Sequence, residues 1–112
     1  MKEKTGQIFS ITKDNPTVAG CTVSKSIYSA KGYDFTYFSL AEYTDISAET
    51  YEYPKICIVE ALIFALDGNG IIGYEGQEHK IKAGENFKFA KNGKHYVKAN
   101  GKFKMALLLT LE

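Results

Sequence analysis

The chain has 112 residues, 45% hydrophobic and 24% charged, with a formal net charge of +1. That length suits one domain spanning 1–112 around a single core. The near-neutral balance gives no basic field for nucleic acid or an anionic membrane surface. No apolar run approaches the roughly 20 residues of a membrane-spanning helix, and Met1-Lys2-Glu3-Lys4-Thr5 lacks the apolar core of a secretory signal, so a cytoplasmic protein is expected. In that setting Cys21 and Cys57 are expected to be reduced core thiols rather than a disulfide.

With 8 Tyr, 7 Phe, 10 Gly and only 2 Pro, the composition favours an all-β fold with many turns. Gly6 to Ile11 reads as a short edge strand, followed by a turn at Lys13-Asp14-Asn15-Pro16. Val18 to Ser29 alternates, with Val23, Lys25 and Ile27 set against Thr22, Ser24 and Ser26, and predicts a strand. Lys31-Gly32 breaks it, and Tyr33 to Leu40 is a second strand rich in aromatic and β-branched side chains. Between Ala41 and Tyr53 neither helical nor strand period persists, so a rim loop with a short strand near Ile46-Ser47 is expected, closed by Pro54.

From Ile56 to Leu66 the chain is almost continuously apolar, then breaks at Asp67-Gly68-Asn69-Gly70, which reads as a tight glycine corner. Asn69 to Tyr74 and Gln77 to Ile81 predict a hairpin across Glu75-Gly76. Ala83-Gly84-Glu85 is the next corner, Asn86 to Ala90 a strand, and Asn92-Gly93 a further turn. Lys94 to Ala99 and Phe103 to Thr110 are expected to be two strands joined by a hairpin at Asn100-Gly101. Ile56 to Leu66 and the closing strand lack the alternation of a strand wetted on one side, so both faces are expected to be covered. A homodimer would cover the outer face most simply. Intramolecular packing by the N-terminal strand is the alternative.

Several of these residues resemble the small single-domain cupins of the cupin 2 type. The resemblance is carried by Leu66-Asp67-Gly68-Asn69-Gly70, the hairpin Tyr74-Glu75-Gly76-Gln77-Glu78, the corner Lys82-Ala83-Gly84-Glu85 and His95. The family's second motif, G-x5-P-x-G-x2-H-x3-N, falls on Gly84, Ala90, Asn92, His95 and Ala99, so the first glycine and the histidine match while the proline, the inner glycine and the asparagine do not. The first motif, G-x5-H-x-H-x3-4-E-x6-G, is degenerate. Counting back from Gly68 puts Ala61 at the carboxylate, and Lys55 with Cys57, or Pro54 with Ile56, at the histidines. Ser47-Ala48-Glu49-Thr50 is similar to a one-histidine variant, S-E-H-T, with Glu49 in the histidine's place. The resemblance implies a cupin-type double-stranded β-helix, or jelly-roll, barrel. It also implies that the family's transition-metal centre has lost all its usual ligands but His95.

His95 is the candidate catalytic residue and a candidate ligand contact, because the resemblance puts an inward-facing histidine there at the barrel mouth. A histidine bonded only to the barrel wall is the alternative. His79, flanked by charges, is expected in solvent. Tyr51 and Tyr53, with Tyr43, concentrate in the rim loop, where aromatic bodies with polar tips suit either a pocket lid or a hydrophobic cap. Phe64, Glu49 and Cys57 complete the expected pocket. A metal could be held only by His95 with Cys57, Glu49 and Glu60, and Cys57 and Glu60, three apart on an extended strand, point to opposite faces. No metal or other cofactor is therefore expected. The expected function is a barrel that binds an unidentified small molecule, with little or no catalysis. The alternatives are a cupin-type isomerase or dioxygenase rebuilt around His95, or a structural dimer with a filled interior.

Overall fold

A computed structural model describes residues 5–47, 58–90 and 95–111. In chain order it contains a helical turn α1 (Ile11–Asp14) and strands β1 (Thr22–Ala30), β2 (Tyr33–Leu40), β3 (Asp45–Ser47), β4 (Ile58–Tyr74), β5 (Gln77–Lys82), β6 (Asn86–Ala90) and β7 (His95–Leu111). The long strands β4 and β7 form an antiparallel spine from Ile58 opposite Leu111 to Tyr74 opposite His95.

The first half of β4 has β6 on its other side, and the second half has β5. Likewise β7 pairs with β3 near its start and with β2 beyond Phe103, and β1 extends the sheet from β2. The sheet thus rolls over at mid-spine into two facing layers, β1-β2-β7-β4-β6 and β3-β7-β4-β5. Side chains from both layers share one core cluster that includes Phe38, Ile63, Ile72, Ile81, Phe89 and Phe103. This is the jelly-roll architecture expected from the sequence.

The roll-over depends on bulges. The β4–β7 register slips between Ala65 and Asp67 and again between Gly68 and Gly70. A strand presents alternate residues to one face, so the one-residue slip at Leu66 exchanges the faces of β4, whereas the second slip, of two residues on β7, leaves them unchanged. That is why Ala61, Ile63 and Ala65 are buried in the first half of β4 while Ile72 is buried in the second. Gly68 lies at φ +76° with its α-carbon pressed against the Lys102 carbonyl, a position where a Cβ would come within 2.1 Å of that oxygen. In the slipped stretch of β7, between the partners Phe103 and Ala99 of Gly68 and Gly70, Gly101 takes φ +89°. Asp67–Gly70 is not the corner, and Asn100-Gly101 not the hairpin, expected from their residues. Both are interruptions inside continuous strands, because the segments on either side pair with the same long partner rather than with each other.

The other turns follow their residues. Glu75 and Gly76, at φ 49° and 81°, form the two-residue turn between β4 and β5. The corner Ala83-Gly84-Glu85 carries the chain from one layer to the other, docked on the β4 bulge by Ala65 N–H to Glu85 O and Gly84 N–H to Ala65 O, both 2.9 Å. The expected turn at Asn92-Gly93 lies outside the described residues.

The N-terminal segment is not the expected edge strand. Ser10 caps α1 by accepting from the Lys13 N–H at 3.3 Å, and Asn15 closes it by donating to the Ile11 carbonyl at 2.7 Å. Such local side-chain bonds compete with strand pairing. The segment then straps the outer face of β2 and β7. Tyr37 OH donates to Asn15 O at 3.0 Å, Thr17 and Ser39 hydroxyls meet at 2.9 Å, and Lys104 Nζ donates to Thr12 O at 2.9 Å. Burial beneath the strap raises the Tyr37 phenol above its ordinary pKa. Cys21 is also displaced from expectation: its thiol is free and exposed, not in the core. Among the described residues, no helix is long and apolar enough to cross a membrane.

Candidate ligand-binding site

Strand alternation and the bulges decide which side chains face the space between the layers. In the larger layer the inward rows are set by register: Ser29, Asp34, Leu109, Ala61 and Phe89 lie across successive strands, and Ser26, Thr36, Leu107, Ile63 and Phe87 form the next row. Each step along a row is roughly 4.8 Å. The β6 end of these rows is filled with aromatic rings, and the β1 end is polar and open.

At the polar end is a cleft of about 250 Å³ lined by Ser24, Ser26, Asp34, Thr36, Phe38, Leu107 and Leu109. Its floor is apolar and its wall carries hydroxyls and one carboxylate. The Thr36 hydroxyl donates to Asp34 Oδ2 at 3.3 Å. No cation is paired with Asp34 among the described residues. On the same face of β1, Thr22 Oγ1 is buried with no hydrogen-bond partner. None of these residues was singled out from the sequence. The signal was present in the alternation of Thr22, Ser24 and Ser26 with Val23, Lys25 and Ile27, but a polar face on a strand is ordinarily the solvent face. Here Ser24 and Ser26 line the open mouth of the cleft and remain exposed.

At the other end, His95 is half-buried and its imidazole stacks on Phe89, with centroids 4.1 Å apart and planes 23° from parallel. It shares a face of β7 with Val97 and is directly opposite Tyr74. Tyr74 packs on Phe89 and Phe87 at 5.4 and 5.8 Å, and its hydroxyl accepts from the Ala90 N–H at 3.3 Å. His79 joins the same cluster. Its position opposite Ile72 turns it inward, half-buried, with its ring 5.1 Å from Phe87, rather than out to solvent as the flanking charges suggested. Flanking charges on a strand report on the other face, which is why they misled.

The remaining predicted pocket residues divide. Phe64 does not face the interior: it alternates with buried Ile63 and meets Phe35 edge-on at 6.3 Å on the outer face. Glu49, Tyr51, Tyr53 and Cys57 lie outside the described residues. Glu60 also faces outward, where it forms an ion pair with Lys88.

The cupin metal centre can be tested against the residues present. Ala61 occupies the carboxylate position, 3% exposed, between Leu109 and Phe89 in the inward row. A methyl group in an apolar row cannot coordinate, and hard and borderline metals require convergent N, O or S donors. Among the described residues, no group of three or more His, Cys, Asp or Glu side chains is arranged to hold a metal ion. The described residues do not fit the family's metal.

Sequence comparison matches no protein-family model and no curated protein. Comparison of structures is informative. A cupin superfamily protein from Desulfitobacterium hafniense DCB-2 superposes with a TM-score of 0.83 at 14% identity, covering 97% of this chain and 94% of that one. A conserved protein of unknown function from Streptococcus pyogenes gives 0.80 at 15% identity, over 96% and 90% of the two chains. A cupin 2 conserved barrel domain protein from Leptotrichia buccalis gives 0.77 at 24% identity, over 91% of this chain and 47% of that chain. With the rolled antiparallel spine and the position of His95 at the start of its last strand, these likenesses establish that the chain has the cupin fold.

Proposed function

We propose that this barrel is a binding module for a small molecule and does not use the metal chemistry of the usual cupin centre. The observation that carries the reading is the cleft on the inner face of β1, β2 and β7, where Ser24, Ser26, Asp34 and Thr36 stand above an apolar floor of Phe38, Leu107 and Leu109. A concave apolar surface with a few convergent polar groups is the usual form of a small-molecule site. Its volume of about 250 Å³ suits a metabolite-sized occupant. The aromatic packing around Phe89 and His95 supports a fixed wall in place of a coordination sphere.

Elemental analysis of the purified protein, paired with thermal-shift screening against a metabolite set in chelator-treated buffer, tests the proposal. Saturable stabilisation by a small molecule in metal-free protein is the expected result. A stoichiometric transition metal, removed only by chelator and required for any binding, overturns it.

A second element of the proposal is self-association through the outer face of the larger layer. Leu62, Phe64, Leu108 and Phe35 are half-buried there, and Leu66 is 37% exposed. Contiguous apolar surface of this kind favours a symmetric pairing of copies. Among the described residues, the hydrogen bonds of the N-terminal strap to this sheet go to Tyr37, Ser39 and Lys104.

A further inference from the structure

Resting on the small-molecule reading above, we infer that the occupant of the cleft carries a cationic nitrogen, held by Asp34, on a small apolar body. Asp34 is the one charged residue of the lining, and its neighbours there are the hydroxyls of Ser24, Ser26 and Thr36 and the side chains of Phe38, Leu107 and Leu109. Its strand position directs it inward, opposite Leu109 and in the row that continues to Ala61 and Phe89. The half-buried carboxylate accepts from Thr36 at 3.3 Å and has no cationic partner among the described residues.

A carboxylate withdrawn from bulk water without a counter-charge loses hydration that a neutral or anionic ligand does not replace. An ammonium or guanidinium group replaces it with charge-assisted hydrogen bonds, stronger than those of a neutral donor. The three hydroxyls can accept the remaining N–H groups of such a head, since each has lone pairs to offer. Beneath them, Phe38, Leu107 and Leu109 provide contact for a hydrocarbon body and nothing for a second charge. The cleft therefore excludes carboxylates and phosphates by the same charge that draws amines.

The test is an amide chemical-shift titration of the whole chain with three probes of matched shape: phenethylamine, phenethyl alcohol and 3-phenylpropionate. The expected result is saturable shifts at Ser24, Ser26, Asp34 and Thr36 with phenethylamine, binding about tenfold or more weaker with the alcohol, and none with the carboxylate. Asp34→Asn, checked for an otherwise unchanged spectrum, should weaken amine binding about tenfold or more. Thr36→Val should weaken it by less. Equal binding of amine and alcohol, or an amine affinity unchanged by Asp34→Asn, overturns the inference. Cleft shifts with the alcohol or the carboxylate but not the amine overturn the charge assignment alone and leave the binding reading standing, whereas no cleft shifts with any probe count against both.

Discussion

The His95 imidazole lies nearly parallel to the Phe89 ring, 4.1 Å between centroids, and so forms part of the wall of the barrel. An aromatic pair of this kind contributes about 0.5–1.5 kcal/mol beyond its buried area. His95→Ala should therefore lower the unfolding free energy by about 1–2 kcal/mol in a urea titration. Because the Phe89 end and the Asp34 end of the inward row are separated by several strands, binding in the cleft should change by less than about twofold. A variant of undiminished stability that has lost binding would instead make His95 a direct ligand contact.

Gly68 is required by two independent features, a positive φ and the approach of the Lys102 carbonyl. Gly68→Ala should cost about 2–4 kcal/mol, since the strain of the backbone and the clash of the new methyl add. The measurement is the midpoint of chemical denaturation at unchanged slope. Gly73→Ala should also destabilise, because the Tyr96 ring lies across Gly73 where the new Cβ would go.

That Tyr96 ring spans the glycine to donate a hydrogen bond to Glu78, whose Oε2 also receives Lys98 Nζ at 3.0 Å. The hydrogen bonds from Tyr96 and Lys98 lower the Glu78 pKa below 4.5. The Glu78 carboxylate in turn raises the pKa of Lys98 above 10.5. Glu78 thus contributes stability that is present above its unfolded pKa and is lost as pH falls through the lowered folded value. Lys98 contributes stability that is present below its unfolded pKa and is lost as pH rises through the raised folded value. Glu78→Gln should reduce stability at neutral pH, converge with the parent in acid, and show a smaller difference in high salt because the group is exposed.

The outer-face proposal gives a separate expectation. Phe64→Glu, which sets a charge beside Phe35, Leu62 and Leu108, should leave the far-ultraviolet spectrum unchanged and shift sedimentation from a dimer toward a monomer. A parent protein that is monomeric at all accessible concentrations contradicts that part of the account.

Much of the fold was legible from local chemistry. The hairpin at Glu75-Gly76, the corner at Ala83–Glu85 and the strand Asn86–Ala90 were read correctly, because each depends on a turn residue and a short run. Asp67–Gly70 and Asn100-Gly101 were misread for a common reason: a glycine at positive φ serves equally in a hairpin and in a bulge, and only the partner strand distinguishes them. The site was less legible. His95 was singled out through its resemblance to a motif, His79 was assigned to solvent but is half-buried, and the cleft lining of Ser24, Ser26, Asp34 and Thr36 was not singled out. Alternation reveals that a strand has two faces; which face is enclosed depends on the layer packed across it.

The central claim is that the Asp34 side of the barrel holds a small molecule without help from a metal. Its most direct test is an amide chemical-shift titration of chelator-treated protein with the metabolite set that gives thermal stabilisation. The account predicts saturable shifts concentrated at Ser24, Ser26, Asp34, Thr36, Leu107 and Leu109. Shifts that occur only after a transition metal is restored, or that centre on residues outside this cleft, would contradict it.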